Sequence, residues 1–174
     1  VGKTNLDLQA LVGSLQFVER ADLCCLRTAL GRIMNNPSAD HIRQGKTGCR
    51  YIQATLDHVL EFGLQKTDPR LFVFYDSNFG TDSYVGICEV IYGACIRSTC
   101  QRIKVNTASS TDAEMYAAVE ASKRTYLRRL MLADCGFPCK DPTPVIGDNM
   151  ATVLALSSKG AGSETHARYQ RIRK

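Results

Sequence analysis

Leu71-Phe72-Val73-Phe74-Tyr75-Asp76 is the stretch that decides the fold, because a short apolar run that ends in a carboxylate is typical of a buried β-strand. Two further strands are predicted over residues 83–91 and 94–100, with Tyr92-Gly93 as the turn between them. Val145-Ile146-Gly147-Asp148 predicts a fourth strand, which also ends in a carboxylate. The predicted sheet therefore carries two aspartates at strand ends.

A long helix is predicted between the third and fourth strands. Thr111 and Glu114 fit a capping box at its start, and Gly136 and Pro138 end it. Its expected buried stripe consists of residues at helical spacing, namely Met115, Ala118, Val119, Ser122, Tyr126, Leu127, Leu130 and Met131. A further helix is expected over residues 149–156. The order of three antiparallel strands, helix, strand and helix indicates an α/β domain with a mixed sheet.

The chain before the first strand has the hydrophobic spacing of helices. One stripe runs from Leu8 to Val18 and a second from Leu23 to Ile33, and a third helix is expected over residues 39–63. Asp68-Pro69 has the composition of a linker. We therefore predict a small helical segment over residues 1–66 and an α/β domain over residues 70–174.

Composition narrows the class of protein. The chain has 174 residues, 44% of them hydrophobic, and a net charge of +5, which is typical of a folded domain and excludes a disordered one. Its longest apolar candidate, 84–96, is interrupted by Glu89, so no membrane span is expected. No secretory signal begins the sequence, which favours an intracellular protein. The eight cysteines lack zinc-site spacing, and most are expected to be reduced core residues.

Three carboxylates are expected near one another: Asp76 and Asp148 at strand ends, and Glu114 in the first turn of the long helix. Oxygen ligands of this kind suit Mg²⁺, and crowded carboxylates should raise the pKa of at least one of them. Each also has an ordinary structural alternative. Asp76 could form a turn, Glu114 could partner Thr111 in the capping box, and Asp148 could cap the following helix. The residues alone leave these alternatives open.

Several motifs then follow one another in the order and spacing of a known family. Residues 74–80, FYDSNFG, are similar to the motif Y-S-D-A-D-W, and residues 109–116, SSTDAEMY, to S-S-T-E-A-E-Y. Residues 127–130 are close to L-R-R-L, and residues 147–149, GDN, fit C-D-N. Upstream segments also match, at 11–15, 20–23, 34–38 and 50–57. Together these motifs resemble the copia-type (Pseudoviridae) LTR retrotransposon polyprotein, over its reverse transcriptase connection segment and ribonuclease H domain.

This resemblance implies a ribonuclease H-like fold in which Asp76, Glu114 and Asp148 are catalytic and bind two Mg²⁺ or Mn²⁺ ions. The implied reaction is endonucleolytic hydrolysis of the RNA strand of an RNA/DNA hybrid, in which one ion activates water and the other stabilises the leaving oxygen. The implied location is a cytoplasmic particle or the nucleus.

The resemblance also suggests which residues would bind nucleic acid. Arg97, Arg102 and Lys104 form an acid-free basic cluster that would neutralise phosphates along the hybrid. Asn149 would lie next to the metal ligands. Selectivity would come from duplex shape and the 2′-hydroxyl.

The sequence also departs from the family pattern. The family continues past a basic helix, here residues 165–173, into a fifth strand and a last helix with a fourth aspartate, so the domain is expected to be C-terminally truncated. His166 is the nearby alternative ligand, although a surface position is expected for it. The tryptophans of the family are absent. The polymerase palm and its Tyr-x-Asp-Asp motif are also absent, which excludes polymerase activity in this sequence.

These departures support a different hypothesis, in which the protein is a domesticated, non-catalytic remnant. It would serve as a structural or RNA-binding subunit of a ribonucleoprotein, in an organelle or elsewhere in the cell. Other protein chains would then pair with its open sheet edge.

Overall fold

The computed structural model describes residues 3–18, 20–59, 61–62 and 70–157. The chain divides into two compact units, Val1–Leu60 and Glu61–Lys174. The predicted linker at Asp68-Pro69, the basic segment 165–173 and His166 lie outside the described residues.

The first unit is helical. Its helices are α1 (Lys3–Phe17), α2 (Cys24–Ile33) and α3 (Ala39–Ala54), and a 3-10 turn at Ala21–Leu23 precedes α2. Its core consists of four fully buried side chains and the apolar residues around them, with Leu8, Val12, Leu15 and Leu30 at the centre. The two N-terminal stripes therefore identified real helices.

The buried face of α3 depends on glycine. Gly45 and Gly48 are buried, and a Cβ at these positions would lie 2.4 Å from the Leu11 side chain and 2.5 Å from the Leu26 side chain. The absence of a side chain lets neighbouring leucines reach the α3 backbone. Hydrophobic periodicity cannot find this contact, because glycine carries no apolar side chain.

The predicted extension of α3 to residue 63 is wrong. The helix ends at Ala54, and Thr55 leaves the helical conformation with φ −129° and ψ 32°. Leu56 and Val59, which the pattern assigned to the buried stripe, are 71% and 70% exposed. Without a packing partner, apolar residues at helical spacing do not extend the helix.

The second unit is a mixed α/β structure with a four-stranded sheet. Its strands are β1 (Leu71–Ser77), β2 (Tyr84–Ile91), β3 (Ala94–Arg102) and β4 (Val145–Ile146), in the spatial order β3-β2-β1-β4. Among the strand pairs of the described residues, β1–β4 is parallel, and β1–β2 and β2–β3 are antiparallel. Helix α4 (Ser110–Asp134) precedes β4 and α5 (Met150–Ser157) follows it. The predicted order of strands and helices is confirmed.

The turn between β2 and β3 is the predicted one. Tyr92 and Gly93 both have positive φ, 51° and 79°, as a two-residue type I′ hairpin requires. Gly93 adopts this conformation without steric cost.

Helix α4 packs on one face of the sheet through small residues. Ala113, Ala117, Ala118 and Ala121 are buried against the sheet-centre residues of β1 and β2. The predicted stripe is wrong in its second half, where four large residues are exposed: Tyr126, Leu127, Leu130 and Met131. The sheet-facing positions there are instead Thr125, Arg128 and Leu132.

The two arginines of the L-R-R-L motif fasten α4 to its surroundings. Arg128 forms an ion pair with Glu89 on β2, and the Glu89 side chain is only 3% exposed. Arg129 donates hydrogen bonds to the carbonyls of Cys139 and Asp141 and to the Thr143 hydroxyl. The two arginines of the motif therefore connect α4 to the sheet and to the loop that leads into β4.

The cysteines are not a buried set. All eight are free thiols, but only Cys24 is buried, so the predicted core location is wrong for most of them. Among the described residues, no helix has the length and apolar character to cross a membrane.

Candidate metal centre

Asp76 and Asp148 are brought together by the parallel pairing of β1 and β4. Val73 is paired with Val145 and Phe74 with Ile146. The same register, continued for two residues, places Asp76 beside Asp148 at the carboxyl ends of both strands. Both carboxylates are exposed.

Glu114 reaches the same place from the second turn of α4, and not from the first turn as predicted, because the helix begins at Ser110. The helix is capped by Ser109, whose hydroxyl accepts a hydrogen bond from the Asp112 backbone N–H at 3.1 Å. The predicted capping box of Thr111 and Glu114 is therefore wrong. Glu114 is freed from the cap and turns inward, where it is only 4% exposed.

The three predicted carboxylates converge. Asp76, Glu114 and Asp148 each offer a ligand atom, and these atoms all lie within 4.8 Å of one another. Three negatively charged groups at this distance repel one another unless a proton or a cation is shared between them.

Neighbouring residues form the turn that was an alternative role for Asp76 and the helix cap that was an alternative role for Asp148. Asn78 organises the turn after β1, since its side chain accepts a hydrogen bond from the Tyr84 N–H and donates one to the Asp82 carbonyl. Asn149 caps α5, since its side-chain oxygen accepts a hydrogen bond from the Thr152 N–H at 3.0 Å. Neither Asp76 nor Asp148 is needed for these tasks.

The two oxygens of Glu114 are in different situations. Oε1 accepts two hydrogen bonds from Ser77, at 3.0 Å from the backbone N–H and at 2.8 Å from the hydroxyl. Oε2 is buried and has no hydrogen-bond partner. An unsatisfied buried carboxylate oxygen beside two further carboxylates fits a hard divalent cation, which takes oxygen ligands.

The electrostatics of Glu114 agree with the expected raised pKa, but the main cause differs. Burial raises the pKa of Glu114 most, and the charges of Asp76 and Asp148 raise it further, against the hydrogen bonds from Ser77. Repulsion, the cause inferred from the sequence, is thus secondary to burial.

Tyr75 and Gly147 form the wall next to the carboxylates. A Cβ on Gly147 would lie 2.3 Å from Cζ of the Tyr75 ring, so the ring occupies the space of a side chain. Tyr75 is 7% exposed, and burial raises its pKa, as do the charges of Glu114 and Asp148. Sequence reasoning did not select either residue, although a glycine before a strand-end carboxylate can signal close approach.

The predicted nucleic-acid-binding residues are not all in one place. Arg102 is the last residue of β3, at the end of the sheet where the three carboxylates lie, and it forms an ion pair with Asp82 at 3.0 Å. The exposed Lys104 follows two residues later. Arg97 lies five residues before Arg102, roughly 16 Å along the strand. Asn149 adjoins Asp148, and its side chain caps α5 as described above.

Ser77 is a further residue of this centre that the sequence analysis missed. Nothing in its position after Asp76 indicates that it would contact a residue 37 positions later. Only the packing of α4 against β1 brings the two together.

Comparison with protein-family models, curated proteins and solved structures finds no match to this chain. The resemblance to copia-type polyproteins therefore stays a hypothesis, based on the motifs quoted above.

Proposed function

We propose that this protein is a divalent-metal-dependent nuclease of the ribonuclease H type, which hydrolyses the RNA strand of RNA/DNA hybrids as part of a copia-type reverse transcriptase. The observation that carries the proposal is the convergence of Asp76, Glu114 and Asp148 around a buried Glu114 oxygen without a hydrogen-bond partner. The sheet order β3-β2-β1-β4 with a single parallel pair supports a ribonuclease H-like fold.

The chain's residues divide the work at this centre. Asp76 and Asp148 are exposed ligands on the strand ends, accessible to a polymeric substrate. Glu114 is the buried ligand, held from behind by Ser77. Mg²⁺ or Mn²⁺ bound there would supply Lewis acidity toward a phosphodiester and a more acidic water molecule.

The substrate class is supported by the charges at the same end of the sheet. Arg102 and Lys104 lie there, and the Arg102–Asp82 pair is about half exposed on both sides. An exposed ion pair is weak, so a phosphate can replace Asp82 as the partner of Arg102 at little cost. Such contacts neutralise a nucleic-acid backbone without reading its sequence.

The test is cleavage of an RNA/DNA hybrid by the purified full chain. The RNA strand is end-labelled, and DNA/DNA and RNA/RNA duplexes of the same sequence are run in parallel with Mg²⁺, Mn²⁺ or EDTA. Asp148→Asn removes one ligand, and Asp134→Asn, at the exposed end of α4, is the matched control. We expect metal-dependent cleavage of the hybrid by the wild type and by Asp134→Asn, and its loss in Asp148→Asn.

Two outcomes contradict the proposal. Equal cleavage by wild type and Asp148→Asn would mean that the activity does not come from this centre. Hybrid or RNA binding without cleavage in any metal would favour the non-catalytic remnant instead.

A further inference from the structure

Ser77 makes an unusual pair of contacts with a metal-ligand candidate. Its backbone N–H and its hydroxyl both donate to the same oxygen, Oε1 of Glu114, at 3.0 Å and 2.8 Å. These two contacts leave Oε2 as the one Glu114 oxygen without a hydrogen bond. The Glu114 carboxylate therefore has one hydrogen-bonded oxygen, Oε1, and one oxygen without a hydrogen bond, Oε2.

We propose that Ser77 is a positioning residue that makes Glu114 a single-oxygen ligand and thereby sets the metal selectivity of the centre. This inference rests on the metal-binding part of the proposed function. It assigns a role to a side chain of this chain that the motif resemblance does not supply, since the Y-S-D-A-D-W motif has alanine at this position.

The Ser77 hydroxyl has no other task among the described contacts. The backbone of Ser77 pairs with Val85 on β2, and this pairing does not involve the side chain. Ser77 is half-buried, whereas Glu114 is buried, so the hydroxyl acts on a carboxylate that water reaches poorly. In such a site a hydrogen bond to a charged oxygen restricts orientation more than it would at an exposed surface.

The consequence for selectivity follows from the number of oxygens offered. Ca²⁺ often takes both oxygens of a carboxylate, whereas Mg²⁺ and Mn²⁺ suit fewer protein oxygens in octahedral geometry. With Oε1 held by Ser77, Glu114 has one oxygen left, which favours the smaller ions. Without the hydroxyl, the carboxylate is freer to turn and to offer both oxygens.

The experiment measures Mn²⁺ and Ca²⁺ binding in the full chain, without a nucleic-acid substrate. Free Mn²⁺ is followed by its electron paramagnetic resonance signal, and Ca²⁺ affinity is obtained by competition. Ser77→Ala removes the hydroxyl and Ser77→Thr keeps it. Ser122→Ala removes an exposed hydroxyl from α4 that bonds to the Ala118 carbonyl at 2.8 Å, and is the control for loss of a serine hydroxyl away from the centre.

We expect Ser77→Ala to weaken Mn²⁺ binding by about 10- to 100-fold, the usual effect of losing a residue that orients a metal ligand. Ca²⁺ binding should weaken less, so that the ratio of Mn²⁺ to Ca²⁺ affinity falls. Ser77→Thr should restore the wild-type ratio, and Ser122→Ala should not change it. Circular dichroism of each variant confirms that it is folded.

The possible failures are distinguishable. An unchanged affinity ratio in Ser77→Ala, or a Ser77→Thr variant that behaves like Ser77→Ala, overturns the role of the hydroxyl alone. A wild type that binds Mn²⁺ with the expected Ser77 effects but does not cleave hybrids overturns the proposed function and leaves this inference standing. A wild type that binds neither ion overturns both.

Discussion

At the scale of single residues, the candidate centre consists of carboxylates that do not cap the neighbouring helices, because nearby residues form those caps. Asn149 caps α5, so Asp148 is not needed there, and Ser109 with Asp112 caps α4, so Glu114 is not needed there. A carboxylate that is not needed for capping can lie in an environment that disfavours its charged form. Glu114 does so, with its pKa raised mainly by burial.

The pH dependence of stability should report this environment in the metal-free protein. A raised pKa in the folded state means that Glu114 contributes stability at low pH, which is lost as pH rises through that raised value. Glu114→Gln keeps the shape and removes the charge. We therefore expect the variant to be more stable than the wild type at neutral pH in EDTA, with the difference vanishing toward acid.

Urea denaturation across a pH series checks this expectation. The difference between the two proteins is the relevant quantity, because carboxylates away from this centre contribute equally to both. A difference that is constant with pH, or a variant that is less stable at neutral pH, would contradict the assignment of a raised pKa to Glu114.

Gly147 is the second residue on which the centre depends. Gly147→Ala forces a Cβ into the buried Tyr75 ring, and overpacking of this kind typically costs about 1–3 kcal/mol. Mn²⁺ binding should weaken as well, because Asp148 is the next residue. Gly80→Ala is the control, since a Cβ there has no atom within 4 Å. Equal unfolding free energies for the two variants would rule out the steric explanation.

At the scale of elements, α4 connects the centre to the rest of the second unit. Its N-terminal part carries Glu114, its alanine face packs on the sheet, and its second half is held by the contacts of Arg128 and Arg129. The Arg128–Glu89 ion pair joins this second half to β2, and both of its side chains are largely buried. Removing one partner of a buried ion pair leaves the other charge buried without compensation, which destabilises the folded state.

The Arg128–Glu89 pair can be tested by its loss and by its replacement. Arg128→Met should lower the free energy of unfolding by about 3–5 kcal/mol, whereas Arg128→Met with Glu89→Leu should recover much of that loss. Lys123→Met removes an exposed pair with Glu120 and should cost at most about 1 kcal/mol. Chemical denaturation gives all three values. A double variant less stable than Arg128→Met would contradict the argument.

Sequence reasoning found these elements to different degrees, for physical reasons. Strands β1 to β3 were found because their apolar runs and the turn at Tyr92-Gly93 are local signals. The buried face of α4 was predicted correctly at Met115 and Ala118. It was misassigned in the second half of the helix, because hydrophobicity favours Leu127 and Leu130 over Thr125 and Arg128. The three carboxylates were found through strand ends and motif resemblance, but the Ser77 contact depends on tertiary packing.

At the scale of the whole molecule, a bound ion should stabilise the folded chain. A ligand that binds only the folded state, at a free concentration about 100 times its Kd, adds about 2.7 kcal/mol. For a chain of 174 residues this corresponds to a rise of several degrees in Tm. Mg²⁺ should therefore raise the Tm of the wild type more than NaCl at equal ionic strength.

Asp76→Asn separates metal binding from simple charge screening. The variant should lose the Mg²⁺ response and, in EDTA, melt at or above the wild type, because one of three repelling charges is gone. Asp134→Asn should behave as the wild type. Differential scanning calorimetry measures each Tm, and a wild type unmoved by ~10 mM Mg²⁺ or Mn²⁺, above typical site affinities, would count against a metal site.

The two-residue pairing of β4 with β1 has a consequence for the order of folding. Val73 and Val145 are 72 positions apart, whereas β2 and β3 are joined by a two-residue turn, so the β4 contact closes by far the longer loop. We infer that Asp148 joins the other carboxylates last during folding and separates from them first during local opening. The Val73 amide, which donates to the Pro144 carbonyl, should then exchange with solvent deuterium faster than the paired amides of β2, and slow markedly when Mn²⁺ binds. Uniform exchange across the sheet would indicate that it opens only as a whole.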